Sequence, residues 1–444
     1  MRTVRGHREA TRACVSLSLL VSVSCHDVLG VRRSDAGRDA PSAPALEDSR
    51  ADAGPVSRCT FTTGGGADAR FGEGEELGEA VAFSGGFAFG ALRGSDGGRT
   101  ASVVGVATPG LTRTDLGASW GDAPPPQPVV RADALYAVAY VKRPRAVTGR
   151  SLSLHRVGGT ESPIDLPPES DVSAAYDVVA GHSASPVGAL VVWDDVTGGH
   201  AATLPRGVVE LAVISADMRA VRSVRAVAAT LDDASLASDA SDPRLAVRPG
   251  GYWLTWLARR PERLALPLAR TAGEIETPSE EATYSWVEAV ALDLDGAFVG
   301  TSKRLTVGTG HVGSYAIASH DDALVVIAED DGAAAIRGGG SLEQVRWRGL
   351  GAPETAVVVR GGVDEDTAPA IVSVADDLWL TFLDVRGEAD VLPLSMGQGA
   401  ASRAIPSVEP RIGGGRLLGG TASRLGLATL DGAAWTLRWV ACVR

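Results

Sequence analysis

Residues 242–256 read Asp-Pro-Arg-Leu-Ala-Val-Arg-Pro-Gly-Gly-Tyr-Trp-Leu-Thr-Trp, and they give the clearest indication of the fold class. Apolar and polar residues alternate on both sides of Pro249-Gly250, a pattern typical of two short strands joined by a tight turn. Residues 368–382, Ala-Pro-Ala-Ile-Val-Ser-Val-Ala-Asp-Asp-Leu-Trp-Leu-Thr-Phe, repeat the pattern. In both copies a proline stands thirteen residues before an aromatic residue. The two stretches predict a repeated β-hairpin unit.

The hairpin unit recurs along the chain. Residues 127–140 repeat it one residue shorter, and residues 314–327 repeat it without the proline. Weaker copies begin near Gly78, Val178 and Pro410. The seven anchors therefore stand at residues 78, 128, 178, 243, 314, 369 and 410, with spacings of 50, 50, 65, 71, 55 and 41 residues. Periods near ~50 residues with several strands in each unit indicate propeller blades.

Two outer strands are predicted after the clearest copy. Residues 286–299 and then 303–306 continue the unit, and Asp295-Gly296, inside the first of these stretches, is the hairpin turn between the two outer strands. This arrangement resembles the degenerate β-propeller repeats of exported bacterial proteins, and the resemblance extends over roughly residues 70–444. It implies an all-β chain with a single β-propeller of about seven blades. Six or eight blades, or a two-domain sandwich, are the alternatives.

The cysteines suggest how such a ring would close. The chain has four of them, Cys14, Cys25, Cys59 and Cys442. Residues 59–63 are expected to add a strand to the blade built by residues 435–443, so that N- and C-terminal strands close the ring and a Cys59–Cys442 disulfide locks it. The alternative is two unpaired buried thiols. Metal ligation is disfavoured because no CxxC or Cys/His cluster accompanies either residue.

The N-terminus carries an export signal. Four arginines and one acid in residues 1–12 precede residues 13–24, an uncharged and mostly apolar stretch that is too short to span a bilayer. Residues 1–24 are therefore predicted to be a cleaved signal peptide. Ser22-Val23-Ser24-Cys25 resembles the bacterial lipoprotein signal, which implies lipidation of Cys25. Ordinary secretory cleavage at the same place is the alternative.

The signal peptide sets the expected domain limits and location. Residues 25–55 are rich in Ala, Asp, Ser, Pro and Gly, and they are predicted to be a disordered tether that precedes a propeller domain at 56–444. A lipidated Cys25 would anchor the chain to a membrane of the cell envelope, at the outer membrane or the cell surface. Without lipid the chain would be secreted or periplasmic.

Composition narrows the class of partner. The chain has 54 acidic and 42 basic residues, which argues against nucleic acid as the main partner. With 45% hydrophobic and 22% charged residues the bulk of the chain is globular. We expect a monomer that binds a protein or a glycan.

Motif matches yield no catalytic, cofactor-binding or metal residue. Residues 308–313 fit GxGxxG, but a strand follows where the dinucleotide fold needs a helix. Residues 117–121 fit GxSxG around Ser119, yet three prolines stand where the helix would begin. The five histidines of the predicted propeller domain show no metal-ligand spacing; they are His155, His182, His200, His311 and His320.

The acidic clusters are mostly assigned to turns beside strands, where they would favour solubility. The alternative is that they form weak Ca²⁺ sites or a negatively charged opening at one face of the ring. They lie at 194–195, 321–322, 329–331, 364–366 and 376–377. The sequence therefore predicts a recognition or scaffolding protein. The alternative is a propeller enzyme that acts on glycans or other polymers, a hydrolase or lyase. A cluster of Arg, Glu and Tyr with shifted pKa values at one face of the ring would favour the enzyme.

Overall fold

The computed structural model describes much of the chain between Arg58 and Val443. The described residues are 58–60, 69–71, 75–83, 86–95, 98–107, 110–142, 150–170, 175–183, 185–197, 206–227, 239–261, 283–330, 340–349, 351–363, 368–374, 377–383, 388–394, 412–413, 415–420, 424–431 and 434–443. All of them belong to the second of two compact units, residues 53–444. The predicted signal peptide, the tether and Cys25 lie outside the described residues.

Every helix or strand in the described residues is a β-strand, so the all-β prediction is confirmed. Strands β1 (Arg58–Thr60) and β2 (Ala69–Phe71) come first. Six sheets of four antiparallel strands follow, which we number as blades in chain order. The first blade contains β3 (Glu76–Phe83), β4 (Gly86–Ser95), β5 (Gly98–Ala107) and β6 (Gly110–Ser119). The second contains β7 (Gln127–Arg131), β8 (Ala134–Tyr140), β9 (Arg150–Arg156) and β10 (Ile164–Ser170).

The next four blades continue this order. The third contains β11 (Tyr176–Ala180), β12 (Val187–Thr197), β13 (Arg206–Ser215) and β14 (Val221–Val227). The fourth contains β15 (Asp239–Arg248), β16 (Gly251–Pro261), β17 (Thr283–Leu292) and β18 (Phe298–Arg304). The fifth contains β19 (Val312–His320), β20 (Ala323–Asp330), β21 (Gly340–Trp347) and β22 (Val357–Val363). The sixth contains β23 (Ala370–Val374), β24 (Asp377–Leu383), β25 (Glu388–Leu394) and β26 (Ile412–Gly413).

A further sheet combines strands from both ends of the chain. It contains β27 (Gly415–Gly420), β28 (Arg424–Asp431) and β29 (Ala434–Val443), and both β1 and β2 pair with β29. The register between β1 and β29 sets Cys59 opposite Cys442. The side chains of these two cysteines lie outside the described part of the structure.

Two-residue turns build the inner hairpins of the second, fourth and fifth blades, as the repeated pattern predicts, whereas in the third blade residues 181–188 connect Ala180 to Ala189. In the fourth blade the register pairs Arg248 with Gly251, which leaves Pro249-Gly250 as a two-residue turn. The second and fifth blades place both turn residues at positive φ: 46° and 60° at Ala132 and Asp133, and 48° and 64° at Asp321 and Asp322. Turns of this kind match the right-handed twist of the strands that they join.

The proline of the repeat has a structural role in the fourth blade. Between Ser241 and Arg244 the register of β15 against β16 shifts, so that Asp242 and Pro243 lie opposite Trp256 alone. Proline has no N–H to donate to the neighbouring strand, and a bulge accommodates that loss. Asp242 has φ of 47°, a left-handed conformation that aspartate tolerates better than most residues. The bulge directly precedes Arg244 and therefore fixes the side of the strand from which the arginine side chain extends.

The core lies between neighbouring blades, where the predicted aromatic residues pack. The largest buried side chains include Trp253, Trp256, Trp286, Trp347 and Trp379, each at most 2% exposed. Trp256 and Trp286 pack against valines of the third blade, and Trp253 packs with Trp347 between the fourth and fifth. Large aromatic side chains supply the apolar area that a stack of sheets needs. Together these features make the chain a single β-propeller.

The first strands of the blades lie side by side. They contact one another in the order β3, β7, β11, β15, β19 and β23, and β27 contacts both β23 and β3. Five predicted anchors lie within these strands, at residues 78, 128, 178, 243 and 314, and the sixth, at 369, directly precedes β23. The anchor at 410 lies outside the described residues. Within the described part of the chain, no helix is sufficiently long and apolar to span a bilayer.

Candidate functional site

A cavity of about 320 Å³ lies between the first strands of five blades. We call it the axial cavity, because these strands surround the middle of the propeller. Its charged and phenolic lining comes from four strands, with Glu79 of β3, Asp177 of β11, Arg244 of β15 and Tyr315 of β19, and Ser373 of β23 adds a hydroxyl group. Its apolar lining consists mainly of Ala80, Leu245, Ala316, Ile317, Pro369, Ala370, Ile371 and Val372.

Arg244 connects two distant blades across this cavity. Its Nη1 lies 3.4 Å from Oε1 of Glu79, and its Nη2 lies 3.3 Å from Oδ1 of Asp242. Burial by itself would lower the pKa of Arg244, but the carboxylates of Asp242, Glu79 and Asp177 together raise it above its usual value. The guanidinium therefore remains charged, and it is surrounded by more negative groups than it can neutralise alone.

Asp177 is the buried acid of the site. Its Oδ1 accepts a hydrogen bond of 2.7 Å from the backbone N–H of Val178, and its Oδ2 accepts one of 2.6 Å from the N–H of Leu245. Burial raises the pKa of Asp177 to about 7, and the charge of Glu79 acts in the same direction. Arg244 and the two backbone amides oppose this shift. The carboxyl group consequently changes its charge close to neutral pH.

Tyr315 is a neutral hydrogen-bonding group in the wall of the cavity. Its hydroxyl donates to the carbonyl oxygen of Asp242 at 2.6 Å and accepts from Oγ1 of Thr255 at 3.1 Å. Burial raises the pKa of Tyr315 well above the usual tyrosine value, and the charge of Asp242 adds to the effect. The phenol therefore stays protonated, so it can donate a hydrogen bond but cannot serve as a base at neutral pH.

Asp194 lies behind the cavity and supports Asp242. Its Oδ2 accepts a hydrogen bond of 3.0 Å from the backbone N–H of Asp242. Burial raises the pKa of Asp194 to about 6, and the charge of Asp242 contributes to this rise. The carboxyl groups of Asp177 and Asp194 thus both have pKa values above the ordinary range, and in both cases the main cause is burial.

The acidic clusters divide between turns and strands. Asp321-Asp322 forms the turn of the fifth blade, which agrees with the assignment of these clusters to turns. Asp194-Asp195 lies inside β12 and Glu329-Asp330 inside β20, so the assignment to turns is wrong for these pairs. Strand residues at these positions alternate between faces, and Asp194 thereby reaches the bulge of the next blade. The acids at 364–366 lie outside the described residues.

The histidines and Ser119 are engaged in local contacts. Nε2 of His182 lies 2.9 Å from the carbonyl oxygen of Gly251, and Nε2 of His155 lies 2.8 Å from Oγ of Ser153. Ser119 is buried and donates to the carbonyl oxygen of Tyr140 at 2.6 Å. Among the residues that the structure describes, no group of three His, Cys, Asp or Glu side chains is arranged to hold a metal ion. His200 lies outside the described residues.

Sequence reasoning missed the four charged or phenolic residues of the axial cavity. Each of them is adjacent to a repeat anchor: Glu79 follows 78, Asp177 precedes 178, Arg244 follows 243 and Tyr315 follows 314. Anchors mark the first strand of each blade, and first strands surround the axis. Charged or phenolic residues beside an anchor were therefore the signal in the sequence that could have located this site.

Two larger cavities lie beside the second blade, with volumes of about 560 and 390 Å³. Both are lined by Ala134, Arg156 and Glu161. Arg156 and Glu161 form an ion pair with each other, and each side chain is 45% exposed. Because such pairs are well solvated, these cavities lack the concentration of buried charge that distinguishes the axial cavity.

Comparison with known proteins supports the fold. No protein-family model matches the sequence, and no curated protein matches it. Among solved structures, an ulvan lyase, described as a new family of polysaccharide lyase, matches with a TM-score of 0.51 and 10% identity over 84% of this chain and 96% of that chain. The structure of such a lyase bound to -[GlcA(1-4)Rha3S]- gives a TM-score of 0.52 at 9% identity, with the same coverage.

A third solved structure is the β-propeller domain of the trilobed protease from Pyrococcus furiosus. It matches with a TM-score of 0.43 and 9% identity over 82% of this chain and 97% of that chain. The two lyase structures, at 9–10% identity, share the architecture of this chain and carry no information about its activity. Function therefore has to be argued from the axial cavity itself.

Proposed function

We propose that this chain is an exported β-propeller recognition protein of the cell envelope and that the axial cavity receives a group of its ligand. One observation carries the proposal: polar side chains from four blades converge on a single cavity at the axis. Residues far apart in the chain have no reason to meet there unless the ring holds them together. Concave sites with a few convergent polar groups in an apolar lining are the usual form of binding sites.

The hydrogen bonds of the cavity support recognition. Both carboxylate oxygens of Asp177 accept backbone amides, and the hydroxyl of Tyr315 is held by Asp242 and Thr255. These contacts fix the groups in place before a ligand arrives. A preorganised site loses little conformational entropy on binding, which favours affinity.

An enzyme that acts on glycans or other polymers is the second candidate. The cavity does contain Arg, Glu and Tyr side chains together, and the pKa values of Arg244 and Tyr315 are raised, which would favour an enzyme. Asp177, with a pKa of about 7, is suited to act as a general acid or base near neutral pH. Glu79 would supply the second carboxylate that glycoside hydrolysis requires.

Charge favours a hydrolase over a lyase within this second candidate. The ulvan lyase noted above was solved with a glucuronate-containing, sulfated glycan. In the described lining of the axial cavity, Arg244 is the only cation, and Glu79 and Asp242 already contact it. An acidic sugar would therefore meet net negative charge, which costs free energy.

We also propose that the ring has seven blades, the seventh being the sheet that combines both chain ends. The pairing of β1 and β2 with β29 and the contact of β27 with β3 support this closure. Directly opposed residues in antiparallel strands have Cα atoms about 4.5–5.5 Å apart. Disulfides bridge Cα separations of roughly 4.4–6.8 Å, so the register is compatible with a Cys59–Cys442 bond.

The proposed location depends on the N-terminal sequence. Cys25 would carry a lipid and residues 25–55 would hold the propeller away from the outer membrane or cell surface, with secretion or a periplasmic location as the alternative. The protein would act as a monomer, because a closed ring leaves no unpaired blade for a second copy to cover.

The experiment that tests this function compares binding by the propeller and two variants. Residues 26–444 would be assayed against soluble envelope glycans and envelope proteins, with Arg244→Gln as the test variant and Arg156→Gln as the control. We expect Arg244→Gln to lose binding and Arg156→Gln to retain it. Equal binding by both variants would refute a ligand site at the axis. Release of shorter glycans by the unmodified protein, abolished by Asp177→Asn, would establish the enzyme instead.

A further inference from the structure

We infer that the axial cavity accepts the ammonium group of a lysine side chain from a partner protein. This inference rests on the proposed function and names the chemistry of the group bound there. It follows from three properties of the cavity: its excess of carboxylates, its apolar wall and its narrow volume.

The excess of carboxylates is set by the groups around Arg244. Glu79 lies at 3.4 Å and Asp242 at 3.3 Å from its guanidinium, and Asp177 lines the same cavity. Three carboxylates therefore surround one cation, which leaves the site deficient in positive charge when all of them are ionised. A second cation within a few ångströms of these groups would gain Coulomb energy in a partly buried environment.

The apolar wall distinguishes lysine from a small inorganic cation. Leu245 is buried beside Arg244, and Ile317 and Ile371 are partly buried on the two adjacent first strands. These side chains form one lining together with the polar groups. A lysine side chain has the matching form, an aliphatic stem that packs on apolar surface and a charged tip. A metal ion would gain nothing from the three apolar residues.

The volume of about 320 Å³ fits a single extended side chain with a few water molecules. A folded protein domain cannot enter such a space, but a lysine on a protruding loop can. Glu79 is the accessible acid, since 56% of its side chain is exposed. It would therefore meet the incoming ammonium first.

Proton release should accompany binding. The charged groups that face Asp177 are Glu79 from β3 and Arg244 from β15, and the neutral phenol of Tyr315 lies on β19. Burial raises the pKa of Asp177 to about 7, and an ammonium group beside it would lower this pKa again. Binding would thus favour the ionised carboxylate, and affinity should increase as pH rises from 6 to 8.

The test uses two small probes that share the same four-carbon stem. Residues 26–444 would be titrated calorimetrically with Nα-acetyl-lysine methylamide and with Nα-acetyl-norleucine methylamide, which has the aliphatic stem without the charge. At pH 8 we expect the lysine probe to bind about tenfold more tightly or better. At pH 6 its affinity should fall severalfold. D-glucosamine serves as a third probe, compared with the lysine probe at pH 6, where its amino group is also protonated.

Two variants locate the probe. Glu79→Gln changes an exposed side chain and should fold normally, which far-ultraviolet circular dichroism would verify, and we expect it to weaken the lysine probe about tenfold. Glu161→Gln, in the cavities beside the second blade, is the matched control and should change nothing.

The inference fails if the norleucine probe binds equally well, if glucosamine binds more tightly than the lysine probe, or if Glu79→Gln has no effect. The proposed function could survive that outcome, because an envelope ligand whose binding requires Arg244 could still be found. If the lysine probe does not bind through Glu79 and no envelope ligand requires Arg244, the axial cavity is not a ligand-binding site.

Discussion

Oε1 of Glu79 lies 3.4 Å from Nη1 of Arg244, although 165 residues separate the two in the chain. Glu79 belongs to the first blade and Arg244 to the fourth. Their contact crosses the middle of the propeller, so it forms only when the intervening blades are in place. The charge balance of the axial cavity consequently depends on how the first and fourth blades are placed in the propeller.

Replacing Arg244 by Gln should raise the pKa of Asp177 above its value of about 7. The guanidinium lowers this pKa in the intact protein, and its loss leaves the opposing charge of Glu79 unbalanced. Carbon-13 NMR of the aspartate carboxyl groups across pH 4–9 would measure the shift. Arg150→Gln, which removes an arginine paired with Asp122 elsewhere, is the control. An unchanged or lower pKa in Arg244→Gln would contradict the arrangement described.

The stability of the protein should decrease as pH rises between about 4 and 7. A carboxyl group whose pKa is raised on folding binds a proton more tightly in the folded than in the unfolded state. Asp177 starts from an ordinary value of 3.8 and reaches about 7, and Asp194 reaches about 6. The contribution of these two groups to the free energy of unfolding is therefore fully present below about pH 4. It is lost as pH rises to about 6 for Asp194 and about 7 for Asp177. The slope from one such group is at most about 1.4 kcal/mol per pH unit.

Urea unfolding at several pH values would measure this slope, with Asp177→Asn as the test variant. The asparagine cannot ionise, so the contribution of residue 177 should vanish and the curve should flatten. Its Nδ2 cannot accept a backbone amide, so a constant loss of about 1–3 kcal/mol is expected at every pH. Asp217→Asn, at an exposed turn, should leave the slope intact. An equally steep curve for Asp177→Asn would show that other groups dominate.

Much of the fold was predictable, because β-hairpins leave local signals. Alternation and two-residue turns located the inner hairpins at Arg248–Gly251 and His320–Ala323, and the anchor spacing located the blades. These features depend on neighbours in sequence. The bulge at Asp242 and Pro243 also has a local cause in the proline that lacks a donor.

The site was not predictable in the same way, since it depends on contacts between distant blades. Nothing near Glu79 indicates Arg244 as its partner, and the burial that raises the pKa of Asp177 comes from strands of other blades. Sequence reasoning concentrated on runs of acids such as Asp194-Asp195, whereas the axial acids are single residues beside the anchors. A register assignment for every blade would have been needed to bring them together.

Trp256→Ala should cost about 3–5 kcal/mol of unfolding free energy, because it leaves a large cavity between the third and fourth blades. Trp256 is fully buried and packs in the same cluster as Val192, Leu211 and Trp286. Urea denaturation monitored by circular dichroism would measure the loss. Val307→Ala, at a side chain that is 59% exposed, should change stability by less than about 0.5 kcal/mol. Similar values for both variants would show that this interface contributes little.

A Cys59–Cys442 disulfide should form when the thiols of residues 26–444 are oxidised by glutathione disulfide. Each bond formed reduces one glutathione disulfide to two thiols, and the protein loses two hydrogen atoms. The register sets the two cysteines opposite each other, so little backbone movement is needed. Because the bond would close a loop of nearly the whole domain, its nominal stabilisation is about 5 kcal/mol, with smaller gains common in practice.

Mass spectrometry of a non-reduced digest would identify the linked peptides, and thermal unfolding with and without reductant would measure the stabilisation. Cys59→Ser, Cys442→Ser and the double variant should all lose the same stability, since each removes the same bond. Reductant should then have no further effect on any of them. Two free thiols after oxidation of the folded protein would disprove the bond, and unequal losses in the two single variants would point to separate roles for buried thiols.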